Sequence, residues 1–529
     1  MAMSGIKQTL ITLAASAALI SSAYAETVYN RGNNADPETL DPHKTSTVQE
    51  AHILWDMLEG LVAYDTKANV IPGVAEKWDI SEDGKTYTFH LRKTAKWSNG
   101  DPVTAEDFVY SYRRILDPAT GAKYANLLFP ILNAEEAING TKKLEEIGVR
   151  ATDEHTLEIQ LKEATPYFIA LLTHQTSFPV HRKSVEKYGT DFVKPGNYVS
   201  NGAFQLTENV PNSRVKLTKN PHFHDAKNVQ IDVVNYIPTP DFSAGLRRYQ
   251  AGEIDTMDEL PADQIKSIKE TYGDQLRLGP YLGVYSLVIN SSKAPFTDVR
   301  IREALSLAID REYIAESIFS ETMVPAYSFV PPGIENYTSA EASFKDDLML
   351  DREDKAKELL KEAGYGPGQK PLKIEIRYNT TDNNRNTVVA VGDMWKKLGI
   401  ETTFLNSDSK THFAHLRDGG DFDVARYGWI ADYADPQNFL FLLESTNIGF
   451  NYGKYNSPEY DRLLKEAGAE MDAKKRFDLL HQAEALFMKD IPWIPLVYYG
   501  NMKLISPKIT GYNQNLRGVY PSRFLTKAQ

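Results

Sequence analysis

The chain contains no cysteine. It therefore forms no disulfide, and an export signal at its start would have no thiol to acylate. Neither a His-Glu-x-x-His zinc motif nor a Gly-x-Ser-x-Gly nucleophile elbow occurs, which weighs against the commonest exported hydrolases. Internal repeats and low-complexity linkers are missing too. Positive charge is in short supply: 59 Lys+Arg against 71 Asp+Glu leave a formal charge of −12. Such a chain is a poor partner for nucleic acid or an anionic membrane.

One apolar stretch is present, at the start. Residues 1–25 carry a single charged side chain, Lys7, then a mostly apolar run from Leu10 to Ile20, then Ala23-Tyr24-Ala25 before Glu26. This is the layout of a cleavable secretory signal, and the run falls short of the roughly 20 residues that span a bilayer. Removing the segment takes Lys7 away and moves the charge from −12 to −13. A soluble exported protein without lipid points to a Gram-negative periplasm. The 529 residues, 42% hydrophobic and 11% aromatic, predict a folded protein of two or three domains. Aromatics cluster at Tyr427/Trp429/Tyr433, Trp493/Tyr498/Tyr499 and Tyr281/Tyr285, a minority of them expected to line a pocket.

Local patterns place elements. Residues 85–92 alternate as a strand with Tyr87, Phe89 and Leu91 on one face, and Thr104 with Asp107 opens a helix through Phe108 and Tyr112. His155 to Leu161 reads as a second strand. From residue 298 strands and helices alternate. Asp298 is expected to cap a helix to Arg311, and Asp351 one to Ala363. Leu372–Tyr378 is a strand, a helix ends at Gly399, a strand runs from Ile400 to Leu405, and a short helix spans Thr411–Arg417. Ser457-Pro458 begins another helix. The beat predicts a mostly parallel sheet covered on both faces, with ligands beyond the strands' carboxyl ends. There the stretch Phe422–Arg426 is expected to end a strand. Gly428, Trp429 and Ile430 then leave regular structure towards Asp432. A cation and an acid six residues apart at such a site suit a ligand charged at both ends. His222/His224 and His412/His415 are short-spaced pairs for which a surface turn or packing is the expected fate.

An ordered set of short segments carries a resemblance along nearly the whole chain. It includes Leu40-Asp41-Pro42-His43-Lys44, Pro72-Gly73-Val74-Ala75-Glu76-Lys77-Trp78, Lys96-Trp97-Ser98-Asn99-Gly100 and Gly252-Glu253-Ile254-Asp255. It continues through Ala294-Pro295-Phe296, Leu359-Leu360-Lys361-Glu362-Ala363-Gly364-Tyr365 and the Asp421–Phe439 stretch. Together these resemble the periplasmic oligopeptide-binding proteins of ABC importers, extracellular solute-binding family 5. The resemblance implies an α/β, two-lobed periplasmic-binding-protein fold with a hinge and an additional domain on the first lobe. Residues 26–58, 181–282 and 500–529 would form lobe I, 59–180 the additional domain and 283–499 lobe II. It implies a non-enzymatic, monomeric protein without a cofactor that captures short peptides and delivers them to an inner-membrane permease.

The family's site is carried over residue by residue. Asp432 matches the acid that pairs with a peptide's α-amino group. Gly428 and Ile430 match main-chain contacts with Trp429 in the wall, and Val48 matches a backbone contact from the opposite lobe. Arg426 and Arg417 match arginines that reach the ligand's carboxylate, directly or through water. Tyr281 and Tyr498 lie near the crossings between lobes. Relatives carry a histidine where Asn384 stands, a lysine where Phe319 stands and a tryptophan near Lys410. Those departures leave peptide length open. They also keep in play another solute (a murein peptide, a nickel chelate, haem or an opine-like compound), with an exported hydrolase as the reading from a different class.

Overall fold

In this computed structural model residues 26–528 are described, apart from 46, 262, 263, 367 and 448; the expected signal segment lies outside them. An eleven-stranded mixed sheet runs through the molecule. From one edge its order is Ile400–Ser407, Leu372–Asn379, Val424–Ile430, Leu276–Ile289, Trp493–Ile505, Thr256–Met257, Val28–Gly32, Val233–Ile237, Arg214–Lys219 and Phe204–Val210. Val324–Pro325 pairs beside Trp493–Ile505. The two central strands, Leu276–Ile289 and Trp493–Ile505, are antiparallel and join one half of the sheet to the other. Their pairing breaks between Pro280 and Val284, where Tyr281, Leu282 and Gly283 face Tyr499 alone. Leu282 there turns to other partners: its N–H donates to the Leu516 carbonyl at 2.8 Å and its carbonyl accepts from Ala431 at 2.9 Å. A wide bulge of this kind bends a sheet. It brings the C-terminal segment and the end of strand Val424–Ile430 to one place.

The expected alternation at Tyr87, Phe89 and Leu91 is strand Thr86–Leu91, with those three side chains buried. It pairs within a separate four-stranded antiparallel sheet with Ala75–Ile80, Thr156–Gln160 and Val149–Asp153. Asp107 accepts from the Thr104 N–H at 2.8 Å and helix Ala105–Leu116 follows. This small sheet shares one large core with the Val28–Gly32 half of the main sheet, through Phe89, Phe108, Phe168, Tyr236 and others. Two further cores flank the opposite half, one around Trp395 and Ile376, the other around Trp493 and Phe487.

Three expectations need correction. The sheet is parallel only at Leu372–Asn379 with its two neighbours and around Val28–Gly32; the remaining pairings are antiparallel. Helix Val299–Leu307, capped by Asp298, stops before Arg311, where Asp310 caps a separate turn. Helix Met349–Glu362 starts three residues earlier than expected, so Asp351 sits in its first turn rather than at its cap. The helices Asp382–Lys396, Ser409–Arg417 and Pro458–Ala469 form where the pattern placed them.

Candidate ligand-binding site

Strand Val424–Ile430 does not end at Arg426 as expected. Pairing with Leu276–Ile289, in the register Gly283↔Ile430, Tyr285↔Gly428 and Leu287↔Arg426, carries it four residues further. Gly428, a weak strand former, is required there, because a Cβ would meet the hydroxyl of Tyr499. On its other side the strand pairs with Leu372–Asn379 only at Val424 and Ala425. Beyond that point the edge is open. The N–H of Ala431 donates towards Leu282, so by alternation the main-chain groups of Arg426, Gly428 and Ile430 point to the open edge. The Arg426 carbonyl there already accepts from His412 Nε2 at 2.8 Å. His412 is fully buried, and desolvation lowers its pKa to about 4, so the ring is a neutral donor. Among the described residues no strand pairs with the edge groups of Gly428 and Ile430, the feature an added strand needs.

The open edge faces a cavity of about 690 Å³, inside the range of roughly 300–1,000 Å³ usual for small-ligand sites. The half of the molecule built on strand Val424–Ile430 contributes Phe413, Arg417, Tyr427–Asp432, Phe450 and Tyr452. Thr47, Val48, Ala51, Trp55, Tyr124, His174 and Gln175 close the opposite wall, with Tyr281 and Arg517 completing the enclosure. Eight of the twenty residues in the walls are Trp, Tyr or Phe, amphipathic surface that tolerates varied side chains. Val48 is the first residue of helix Val48–Met57, whose cap Thr47 is tied to Glu50. Its N–H has no intrahelical carbonyl to reach, and among the described residues none accepts from it.

Asp432 is the acid of this wall. Its side chain is 16% exposed, and its N–H donates to Asn438 Oδ1 at 2.8 Å, the same oxygen that takes the Trp429 indole at 3.0 Å. That shared acceptor locks the wall. Desolvation raises the Asp432 pKa to about 6, against the downward pull of Arg517 and Asn438. Among the described residues its one partner within ion-pair distance is His174 Nε2, at 3.9 Å. Burial and Arg517 lower the His174 pKa to about 3, so that ring is neutral and the Asp432 charge is not cancelled by it. Arg517 donates instead to the Asp432 main-chain carbonyl, at 2.7 Å.

The remaining expected residues divide. Arg417 lines the cavity with an exposed side chain and no ion-pair partner among the described residues, and Tyr281 lines it too. Arg426 and Tyr498 do not line it. Arg426 Nη1 donates to Asn379 Oδ1 at 3.1 Å and Nη2 to the Tyr499 hydroxyl at 2.7 Å, and its guanidinium lies 4.4 Å from the Tyr285 ring. The Tyr498 hydroxyl bonds with Ser328, away from the cavity wall. Asn384 ties Tyr285 to Asn379, and Phe319 packs edge-on against Tyr285. The two departures thus seal the cluster around Arg426 with neutral groups. His224 bonds Glu59 at 2.7 Å, and His415 the Asp421 carbonyl at 2.9 Å. Among the described residues no group of three or more His, Asp or Glu is placed to hold a metal ion.

A family model, that of the bacterial extracellular solute-binding proteins, family 5 Middle, matches residues 69–451. The chain belongs to solute-binding family 5. The Salmonella typhimurium periplasmic oligopeptide-binding protein OppA is 40% identical over 488 residues, covering 91% of this chain and 89% of that relative. The crystal structure of Haemophilus influenzae OppA in complex with RPPGFSPFR matches at TM-score 0.83 and 37% identity, over 95% of this chain and 99% of that one. The Escherichia coli murein tripeptide binding protein MppA matches at TM-score 0.85 and 36% identity, over the same shares. The architecture is accordingly the family's two-lobed fold with a hinge and an additional domain. The matching family and its relatives are binding proteins rather than enzymes, which counts against the exported-hydrolase alternative.

Sequence reasoning missed Arg517, His174 and Tyr124. They come from separate segments with no local motif, and the fold alone assembles them beside Asp432.

Proposed function

We propose that this family 5 protein is the periplasmic component of an ABC importer, capturing short peptides between its lobes and handing them to an inner-membrane permease. The observation that carries the reading is a half-buried carboxylate, Asp432, with no charged partner in ion-pair contact among the described residues, next to a strand edge open at Gly428 and Ile430. The peptide's α-ammonium pairs with Asp432, and its main chain adds to the open edge as a strand. Val48 supplies an N–H from the opposite wall. Arg417 takes the terminal carboxylate of ligands long enough to reach it. Arg426 acts through its Tyr499 and Asn379 partners and through water, Trp429 and Tyr281 form wall surface, and Tyr498 braces lobe II. Affinity then rests on main-chain and terminal groups, so sequence preference is weak.

Closure works by rotation at the break in the two central strands. The partition implied by the resemblance (26–58, 181–282 and 500–529; 59–180; 283–499) has its last two boundaries at that break or beside it, at Leu282/Gly283 and Tyr499/Gly500. The protein works as a monomer, without a cofactor and without turning its ligand over.

The test is the molecule the protein carries. Protein purified natively from periplasm is denatured, and the released material is identified by mass spectrometry. A mixture of short peptides with free amino termini is expected. A haem, a nickel chelate or another amine-free solute overturns the reading.

A further inference from the structure

Arg517 is 8% exposed and stands in the cavity wall, on the segment that follows the Trp493–Ile505 strand. Its backbone is pinned: Asn515 Oδ1 accepts from the N–H groups of Arg517, at 3.1 Å, and Val519, at 3.2 Å. Its side chain is under-used. A guanidinium carries five N–H donors. Here Nη2 reaches the Asp432 carbonyl at 2.7 Å, and Nε is buried with no partner. No carboxylate among the described residues lies within ion-pair distance of it. The Asp432 carboxylate acts on it only from beyond ion-pair distance, and a ligand anion in contact would give the buried cation the closer partner it lacks. Lys123, the other strong cation of this wall, is already paired with Glu38 at 3.2 Å.

Taking as its basis the peptide reading above, the geometry points to a second charged subsite: Arg517 binds a carboxylate on the side chain of the ligand's first residue. One residue of the protein presents both halves of the recognition. The Asp432 carboxylate faces the α-ammonium, while the Asp432 carbonyl holds Arg517 a hydrogen bond away from the same spot. A ligand with an amine and a carboxylate a few bonds apart, as in an N-terminal Asp or Glu, satisfies the two together. The site therefore favours acidic amino-terminal residues within an otherwise permissive cavity. Arg417 is left for the far end of the ligand.

The alternative is that Arg517 only ties the lobes together through the Asp432 carbonyl. Calorimetric titration of wild type, Arg517→Met and Arg517→Lys separates the two. The ligands are Glu-Ala-Ala and Gln-Ala-Ala, each as free acid and as C-terminal amide. Wild type is expected to prefer the Glu peptide by about tenfold to a hundredfold, the scale of a charge-assisted hydrogen bond, in both terminal forms. Arg517→Met should erase that preference while still binding the Gln peptide, and Arg517→Lys should keep part of it. Equal binding of Glu and Gln peptides by wild type overturns the inference and leaves the peptide reading standing. So does an equal loss for both peptides in Arg517→Met, which assigns a lobe tie alone. A preference that vanishes in the amides gives Arg517 to the terminal carboxylate and overturns the side-chain assignment. If wild type binds none of the peptides, the proposed function falls, and this inference with it.

Discussion

Replacing Asp432 with Asn keeps the shape of the wall and removes one charge. In the peptide complex that charge faces an ammonium in a site shielded from water. Breaking one partner of a buried ion pair costs about 3–5 kcal/mol, or roughly two to four orders of magnitude in Kd. Calorimetry with a tripeptide and its N-acetylated form is the direct assay. Wild type should bind the free amine far more tightly than the acetylated peptide, and Asp432→Asn should bring the two close together by weakening the first. Wild-type binding of both forms with equal affinity would refute the reasoning outright, because the carboxylate would then have no ammonium to meet.

The same carboxylate makes the effect depend on pH, with a definite sign. Asp432 titrates at about 6 in the empty cavity, because burial penalises its charge. A bound ammonium favours the ionised form, so protons compete with peptide. Affinity should be flat between about pH 6 and pH 7.5, where Asp432 is ionised and the peptide's α-ammonium keeps its proton, and fall below pH 6 by about tenfold per pH unit at most. Folding stability runs the other way. A carboxyl raised from 3.8 to about 6 on folding binds protons more tightly in the native than in the unfolded state. Its contribution is neutral below the unfolded value and is lost as pH climbs towards 6, reaching about 3 kcal/mol against the fold. Unliganded Asp432→Asn should therefore melt higher than wild type at pH 7.5 and alike near pH 4. Higher stability and weaker binding from one substitution mark a group kept for its ligand.

Two further outcomes are expected. Arg417→Ala should shift the preferred peptide length more than overall affinity, since the side chain is exposed and unpaired; a Kd series over peptides of two to five residues reads it, and a uniform loss at every length counts against the assignment. Gly428→Ala puts a methyl against the Tyr499 hydroxyl, displacing the ring that Arg426 bonds; a Kd increase of about tenfold or more is expected, and unchanged binding would mean that Tyr499 moves aside freely.

Much of the fold was legible where local pattern and tertiary demand agreed. Tyr87, Phe89 and Leu91 alternate because one face of their strand is buried, and Thr104 with Asp107 caps a helix whatever surrounds it. The two central strands were not legible. Leu276–Ile289 contains Gly279, Pro280 and Gly283, and Trp493–Ile505 contains Pro495 and Gly500, residues that ordinarily punctuate loops. They survive as strands because each finds partners on both sides over part of its length, and Pro280 borders, while Gly283 lies in, the bulge that bends the sheet. Strand Val424–Ile430 was cut short in the reading for the same reason. Gly428 looks like a strand breaker until Tyr499 is seen to occupy the space of its missing side chain.

The site divides along the same line. Asp432 and the Gly428–Ile430 edge sit in one continuous segment, so resemblance could carry them over. In the opposite wall the resemblance carried over Val48 alone; Tyr124, His174 and Arg517 come from separate segments whose neighbours in sequence give no hint of one another. What that wall does to Asp432 depends on arrangement rather than residue type. His174 beside it is too buried to hold a proton, and Arg517 spends its one hydrogen bond on the carbonyl instead of the carboxylate. Had either been a charged partner of the side chain, Asp432 would have ionised easily and stood neutralised, with nothing left for an ammonium to gain. The raised pKa and the missing ion pair are thus one physical fact: the cavity stores an unmet electrostatic demand, and a cationic ligand group meets it.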